Sequence, residues 1–172
     1  LLSPEEILRI MNEEDRRAVD AVEKALPQIE KAVTRVVQAL NEGGRLIYVG
    51  AGTSGRIGIM DAVECTPTFS TTDEVQAVIA GGSGAFIKAV EGAEDSESLA
   101  VEDLKKLGLK KEDVVCAIAA SGRTPYCMGA LKYGALVEAG TISISCNPGA
   151  AISGLARIAI EVNAGPEILT GS

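Results

Sequence analysis

The chain has 172 residues, enough for one domain with a substantial hydrophobic core. Hydrophobic residues make up 47% of it, aromatic residues only 3%, and glycine contributes 19 residues, a composition that favours a parallel sheet buried between helices. The formal net charge of −8 argues against a nucleic-acid partner, and no apolar run approaches the roughly 18 residues of a membrane span.

The first predicted element is an N-terminal helix over residues 3–40. Ser3, Pro4 and Glu6 match a capping serine, a proline at the first helical position and a glutamate three residues after the cap. Apolar residues then recur at helical spacing, and Pro27 is expected to break or kink the helix.

Gly43 and Gly44 end this helix, and no linker follows them. We therefore expect residues 1–44 to form a helical arm packed on a single domain made by residues 45–172.

After Arg45, short apolar runs alternate with helical segments. The runs cover residues 46–49, 75–80, 114–119, 141–145 and 158–162. Each run except the last is followed by a turn rich in Gly, Ser, Thr or Pro and then by a helix-like stretch. This pattern predicts a doubly wound α/β fold with five parallel strands flanked by helices, and we favour the strand order 2-1-3-4-5. The switch point then lies between the first and third strands, so the loops at 50–56 and 120–125 should face each other across a ligand site.

The first of these loops, Gly50 to Gly55, fits G-x-G-x-x-G between a strand and a helix. A dinucleotide-binding fold also needs an acidic residue near the end of the second strand, but that strand ends in Ala80-Gly81-Gly82. The hydroxyls of Thr53 and Ser54 at a helix N-terminus instead suit a compact phosphate or sugar hydroxyls. The alternative is that the two residues only cap the helix.

The second loop, residues 120–125, follows the third strand in the same way. Thr124 and Pro125 match an N-cap and a first helical residue, which places Ser121 and Arg123 at the mouth of another helix. An arginine there offers a fork of donors to phosphate oxygens. The predicted substrate-binding residues are Thr53, Ser54, Ser121, Arg123 and Thr124.

Histidine and cysteine restrict the chemistry further. The sequence has no histidine, which excludes a Ser-His-Asp triad, a Cys-His pair and a histidine-based metal site. Four cysteines lack CxxC spacing and are interpreted as the reduced thiols of a cytoplasmic protein. Nothing in the sequence resembles a signal peptide. Acid–base chemistry would have to rest on carboxylates, lysine, tyrosine or cysteine.

Two groups of carboxylates are candidates for that chemistry. Asp61 and Glu64 stand three residues apart after the first loop, and Glu91, Glu94 and Asp95 follow the Gly81-Gly82 turn. Most acidic pairs are solvated surface. Glu64 differs because we expect it at a helix C-terminus, where the helix dipole disfavours an anion, a position that suits a general acid.

Long stretches of the chain resemble N-acetylmuramic acid 6-phosphate etherases. These stretches are residues 46–56, 61–65, 79–82, 89–95, 119–126, 145–148 and the closing 169–172. The resemblance implies a SIS (sugar isomerase) fold and a carbon-oxygen lyase that cleaves the lactyl ether of an amino-sugar phosphate. N-acetylglucosamine 6-phosphate and D-lactate would be the products. The family also continues beyond Ser172 through a helical region that this chain does not contain, and Thr66 stands where the family usually has proline.

Carried over by motif, the family's acid–base glutamates match Glu64 and Glu94. Glu94 would remove the C2 proton of the open-chain sugar, and Glu64 would protonate the departing lactate and then activate water. This chemistry needs two carboxyl groups in different environments and neither metal nor cofactor. SIS domains usually pair, and apolar stripes at residues 19–40 and 126–137 favour a homodimer with the sugar site near its interface.

Two binding functions compete with the enzyme. The glucokinase regulatory protein resembles the etherases and binds sugar phosphates without turning them over, but it lacks the glutamate that corresponds to Glu64. The presence of both Glu64 and Glu94 favours the enzyme. A SIS-type sensor domain of a transcriptional regulator has no helix-turn-helix signature or basic segment here to support it.

Overall fold

The structure is a computed structural model that describes residues 2–169. Residues 170–172 of the closing motif lie outside the described residues. The helices are α1 (Pro4–Asn41), α2 (Gly52–Phe69), α3 (Glu97–Lys106) and α4 (Pro125–Leu136). The strands are β1 (Leu46–Gly50), β2 (Val75–Ile79), β3 (Val114–Ile118), β4 (Gly140–Ser145) and β5 (Ile158–Glu161). Short 3-10 turns cover Ser83–Phe86, Ala93–Asp95 and Ser153–Leu155.

The five strands form one parallel sheet in the order β2-β1-β3-β4-β5. This confirms the predicted fold class and strand order, and each strand begins and ends within one residue of its predicted bounds. One expectation is wrong: β4 is not followed by an α-helix. Only the turn Ser153–Leu155 crosses to β5, because this short connection contains Gly149 and Gly154, which disfavour a helix.

Helix α1 begins as predicted and then runs unbroken for 38 residues. The Ser3 hydroxyl accepts the N–H of Glu6 at 3.3 Å, and the Glu6 carboxylate accepts the N–H of Ser3 at 2.7 Å. The predicted break at Pro27 does not occur. Pro27 and Glu23, whose carbonyl loses its helical partner, both lie on the exposed side of α1, where water can satisfy that carbonyl. The division of the chain at residue 44 stays a prediction.

The helices cover the two faces of the sheet in pairs. Helices α3 and α4 pack on one face, where Leu104 and Tyr126 contact a buried cluster that includes Val115. On the other face, α1 contributes alanines to a cluster that contains Tyr48. Helix α2 packs on the same face as α1, since a Cβ on Gly58 would lie 2.8 Å from Tyr48 Cβ.

The apolar stripe at 126–137 is mostly covered by this packing. Its residues Tyr126, Cys127, Ala130 and Leu131 are all buried. The expectation that this stripe exceeds what one protomer can cover is therefore wrong, because the sheet and α3 already bury it.

Candidate active site

The two predicted ligand loops leave the sheet side by side. Gly50 at the end of β1 pairs with Ile118 at the end of β3, so the loops 50–56 and 120–125 follow neighbouring strands at the same carboxyl edge. This is the edge at which parallel α/β sheets bind ligands, next to the point where the strand order reverses. The predicted placement of the two loops is confirmed.

The first loop brings the start of α2 very close to β1 and β2. A Cβ on Gly50 would lie 2.7 Å from the Gly55 nitrogen, and a Cβ on Gly55 would lie 2.6 Å from Ile79 Cγ1. Thr53 and Ser54 fall in the first turn of α2, whose N-cap is Ala51. Because Ala51 holds the N-cap position, Thr53 and Ser54 are not the N-cap of this helix. The first turn therefore offers backbone N–H groups and two hydroxyls toward the carboxyl edge.

The second loop presents polar groups at the start of α4. Thr124 is the N-cap and Pro125 the first helical residue, as predicted, although the Thr124 side chain makes no capping bond. The Ser121 hydroxyl accepts the N–H of Arg123 at 3.3 Å, and both side chains are exposed. Gly122 has a φ of +69°, a conformation that favours glycine. This turn directs Ser121 and Arg123 outward at the helix mouth.

A cleft of about 200 Å³ opens at this edge, between the start of α2 and the segment that follows β2. Its charged lining residues are Arg56, Glu91 and Glu94. The Arg56 guanidinium donates from Nε to the carbonyl of Phe86 at 2.8 Å and from Nη2 to the carbonyl of Ala85 at 3.0 Å. Arg56 thus fixes the wall of the cleft to α2. Arg56 directly follows the glycine motif, but this position alone did not predict a role for it.

Glu94 lies between this cleft and α4. It belongs to the 3-10 turn Ala93–Asp95, which packs against α4. Burial raises the pKa of the Cys127 thiol in the first turn of α4 to about 12, and the nearby Glu94 carboxylate adds to that rise. The Glu94 side chain itself is exposed. A solvated carboxylate at the edge of a ligand cleft can take up a proton from a bound molecule.

Glu64 lies far from this cleft, and its predicted place at a helix C-terminus is wrong. Helix α2 continues through Pro67 and ends only at Phe69. Pro67 removes the bond to the carbonyl of Val63, but Val63 is exposed and water can replace that bond. Glu64 is exposed and follows Gly52 by twelve residues, which corresponds to about 18 Å along the helix axis. Within one protomer, the two predicted acid–base glutamates do not meet.

Asp61, one turn before Glu64, has a partner in the sheet. Burial raises the pKa of the Tyr48 hydroxyl, and a hydrogen bond to the Asp61 carboxylate raises it further. Asp61 therefore helps to hold the middle of α2 on β1. Glu64 is the next carboxylate along the helix and points to solvent.

The part of the chain that the structure describes contains no group of three or more Cys, Asp or Glu side chains arranged to hold a metal ion. Within residues 2–169, no helix is long and apolar enough to cross a membrane. All four cysteines are free thiols, as predicted: Cys65, Cys116, Cys127 and Cys146.

Comparisons with known proteins show which family this chain is similar to. The family model of the glucokinase regulatory protein N-terminal SIS domain matches residues 28–135. The N-acetylmuramic acid 6-phosphate etherase of Bacillus cereus strain B4264 is 61% identical over 172 residues, which cover 99% of this chain and 58% of the relative. The corresponding etherase of Bacillus cytotoxicus is 59% identical with the same coverage. The chain thus spans less than two thirds of the length of these curated relatives.

A solved structure shows the same fold at much lower sequence identity. Phosphoheptose isomerase from Neisseria gonorrhoeae superimposes with a TM-score of 0.73 at 19% identity, over 92% of this chain and 84% of that one. Together with the family match, this likeness confirms the predicted SIS-type fold.

Proposed function

We propose, since the chain belongs to the family of the glucokinase regulatory protein N-terminal SIS domain, that it is the sugar-phosphate-binding part of an N-acetylmuramic acid 6-phosphate etherase. The protein would convert N-acetylmuramic acid 6-phosphate and water into N-acetylglucosamine 6-phosphate and D-lactate. The observation that carries this proposal is the 61% identity to a curated relative of that name over 99% of the chain.

In this proposal the two loops at the carboxyl edge bind the sugar phosphate. The Ser121 hydroxyl accepts from the Arg123 N–H and so keeps its own O–H free to donate to a phosphate oxygen. The Arg123 guanidinium supplies a fork of donors, and the start of α4 adds backbone N–H groups and the positive end of its dipole. Thr53 and Ser54 at the start of α2, together with Thr124, complete a cradle of hydroxyl donors for the phosphate and the sugar.

Glu94 acts as the base at C2 in this proposal. The C2 proton of the open-chain sugar is α to the aldehyde, so a carboxylate can remove it. The electron pair forms the C2–C3 double bond as the C3–O bond breaks, and Glu64 donates its proton to the departing lactate oxygen. Water then adds to C3 as Glu64 takes one of its protons, and Glu94 returns a proton to C2. Each glutamate ends in its starting protonation state.

This scheme requires a second copy of the chain. Glu64 lies about 12 Å along α2 beyond Arg56, the nearest residue of α2 that lines the cleft, which is too far for it to act on a sugar held beside Glu94 in the same protomer. We therefore propose a homodimer in which Glu64 of one protomer reaches the cleft of its partner. The surface of α2 around Glu64 supports this proposal, because Ile57, Met60 and Val63 are each more than half exposed there.

The match to the glucokinase regulatory protein family favours a second candidate, a regulator that binds sugar phosphates without cleaving them. Glu64 separates the two functions, because the resemblance implies that the regulatory protein lacks a glutamate at the corresponding place. The test is to incubate the full-length protein with N-acetylmuramic acid 6-phosphate and to assay D-lactate. N-acetylglucosamine 6-phosphate, which has no lactyl ether, is the matched control. We expect catalytic lactate release, whereas tight binding of both sugars without lactate would establish the regulator instead.

A further inference from the structure

The loop at residues 120–125 is hydrogen-bonded to the connection between β4 and β5. The carbonyl of Ala120 accepts the N–H of Cys146 at 3.0 Å and the Nδ2 of Asn147 at 3.0 Å. The carbonyl of Gly122 accepts the N–H of Ile152 at 3.0 Å. Two carbonyls of the loop are therefore bonded to the segment of residues 146–153, which we name the support segment.

The contact between the two segments leaves no space for adjustment. A Cβ on Gly122 would lie 2.3 Å from the Cβ of Ala150 in the support segment. Because Gly122 and Ala150 are packed against each other so closely, a displacement of the support segment must displace Gly122 as well. Ser121 and Arg123 flank Gly122, so their positions depend on the support segment.

The support segment is in turn held by Glu161, the last residue of β5. One oxygen of the Glu161 carboxylate accepts the N–H of Gly149 at 2.9 Å. The pKa of Glu161 is lowered by the nearby Ser153 hydroxyl and by the N–H of Gly149. The carboxylate thus bonds the support segment at Gly149, directly beside Ala150. No step of the proposed reaction uses Glu161.

We propose that Glu161 is a positioning residue for phosphate binding, which acts by holding the support segment against the 120–125 loop. The inference rests on the sugar-phosphate binding of the proposed function and does not depend on ether cleavage. Loss of the Glu161 carboxylate frees the support segment, widens the range of positions open to Ser121 and Arg123, and weakens binding of the phosphate.

The experiment measures binding of N-acetylglucosamine 6-phosphate and of unphosphorylated N-acetylglucosamine to the full-length protein by calorimetry. Glu161→Ala is expected to weaken binding of the phosphorylated sugar about tenfold, the size of one lost charge-assisted hydrogen bond. Any affinity for the unphosphorylated sugar should stay within about twofold. Glu161→Gln keeps an oxygen that can accept from Gly149 and should bind within about threefold of the wild type. Glu102→Ala, an exposed change on α3, is the control.

Repeating the Glu161→Ala measurement in a protein without the phosphate-binding side chains separates a positioning role of Glu161 from a general loss of structure. In protein that already carries Ser121→Ala and Arg123→Ala, Glu161→Ala should weaken binding less than twofold, because the groups it positions are gone. A full tenfold loss in that background, or equal losses for both sugars, would overturn the inference. If Glu161→Ala does not fold, Glu161→Asp decides, because its shorter carboxylate should not reach Gly149. Binding of Glu161→Asp at wild-type strength would also overturn the inference.

The same measurements distinguish this inference from the proposed function. Wild-type protein that binds the sugar phosphate but releases no lactate contradicts only the etherase. Wild-type binding with no effect of Glu161→Ala contradicts only the role of Glu161. Wild-type protein that binds no sugar phosphate contradicts both.

Discussion

The carboxyl edge of the sheet and the outer surface of α2 differ in how completely one protomer builds them. At the edge, two backbone carbonyls of the 120–125 loop are bonded to the support segment, and Arg56 fixes the wall of the cleft. On α2, the buried residues are only Gly55 and Gly58. The outer side instead exposes Ile57, Met60 and Val63 by 55%, 58% and 61%. The edge is closed by contacts within the protomer, whereas the outer surface of α2 leaves apolar side chains exposed.

Helix α1, which packs on the same face of the sheet as α2, also leaves large apolar side chains exposed. Its buried residues are all alanine, while Val22, Leu26, Val33 and Val37 are exposed. Helix α4 on the opposite face instead buries the larger side chains of Tyr126, Cys127 and Leu131. The protomer therefore completes the α3 and α4 side of its core by itself, and it leaves apolar side chains uncovered on the side that carries Glu64.

The largest expected effect tests the carboxyl edge of the sheet, where Glu94 lies. Glu94→Gln should reduce both exchange of the C2 proton with solvent and D-lactate release by about 100- to 10,000-fold, because an amide cannot remove that proton. Exchange is followed by deuterium incorporation into the substrate. Glu102→Gln should leave both rates unchanged. If Glu94→Gln costs less than tenfold in both measurements, Glu94 is not the base at C2.

Glu64→Gln should give a different phenotype of similar size. Lactate release should fall by about 100- to 10,000-fold, because a neutral amide cannot protonate the leaving oxygen, while C2 exchange remains measurable. Loss of exchange in Glu64→Gln with its retention in Glu94→Gln would mean that the two roles are reversed.

Mixing the two inactive variants tests whether Glu64 acts across a dimer interface. After subunit exchange, half of the dimers carry one variant of each kind, and each has one site in which both glutamates are intact. About one quarter of the wild-type activity should return. If both glutamates act within one protomer, no mixed dimer has an intact site, and the mixture should stay inactive.

The contrast between the two regions also explains what could be predicted from the sequence. Strands, turns and helix starts are local patterns, so the β-strand bounds, the Ser3 cap and the Thr124-Pro125 start were all predictable. The closeness of the loops at 50–56 and 120–125 followed from the strand order. The strand ends and these two loops make up the carboxyl edge of the sheet.

What the sequence did not predict depends on solvent exposure and on contacts distant in the chain. Pro27 was expected to break or kink α1, and α2 was expected to end near Glu64, but α1 and α2 continue through Pro27 and Pro67, where water can replace the lost bond. That outcome moved Glu64 from a helix end to an exposed helix surface. The bonds from Arg56 to the segment after β2 and from Glu161 to Gly149 join residues 12 or more positions apart. No spacing rule indicates such pairs.

A smaller effect is expected when the proposed phosphate-binding residues at the carboxyl edge of the sheet are replaced. Ser121→Ala together with Arg123→Ala should weaken binding of N-acetylglucosamine 6-phosphate by about 10- to 100-fold, since two donors to a charged phosphate are lost. Binding of unphosphorylated N-acetylglucosamine should barely change. Calorimetry on both sugars measures the difference, and equal losses would show that these residues do not hold the phosphate.

The smallest expected effect tests the outer surface of α2 directly. Met60→Asp places a charge among exposed apolar side chains one turn before Glu64. If a partner protomer covers this surface, the charge is buried without a counter-ion and the dimer should weaken by about tenfold or more. Leu136→Asp is the matched control, because Leu136 is 77% exposed at the end of α4 on the opposite face of the sheet.

Sedimentation of the full-length proteins measures the dimer, and lactate release on dilution measures its consequence. Met60→Asp should lose specific activity as it is diluted, because each monomer keeps Glu94 but lacks the Glu64 of its partner. Leu136→Asp should behave like the wild type in both measurements. A wild-type protein that is monomeric at high micromolar concentration, yet fully active, would contradict the dimer and leave the separation of Glu64 from the cleft without an explanation. Dissociation by Leu136→Asp but not by Met60→Asp would place the interface on the α3 and α4 face instead.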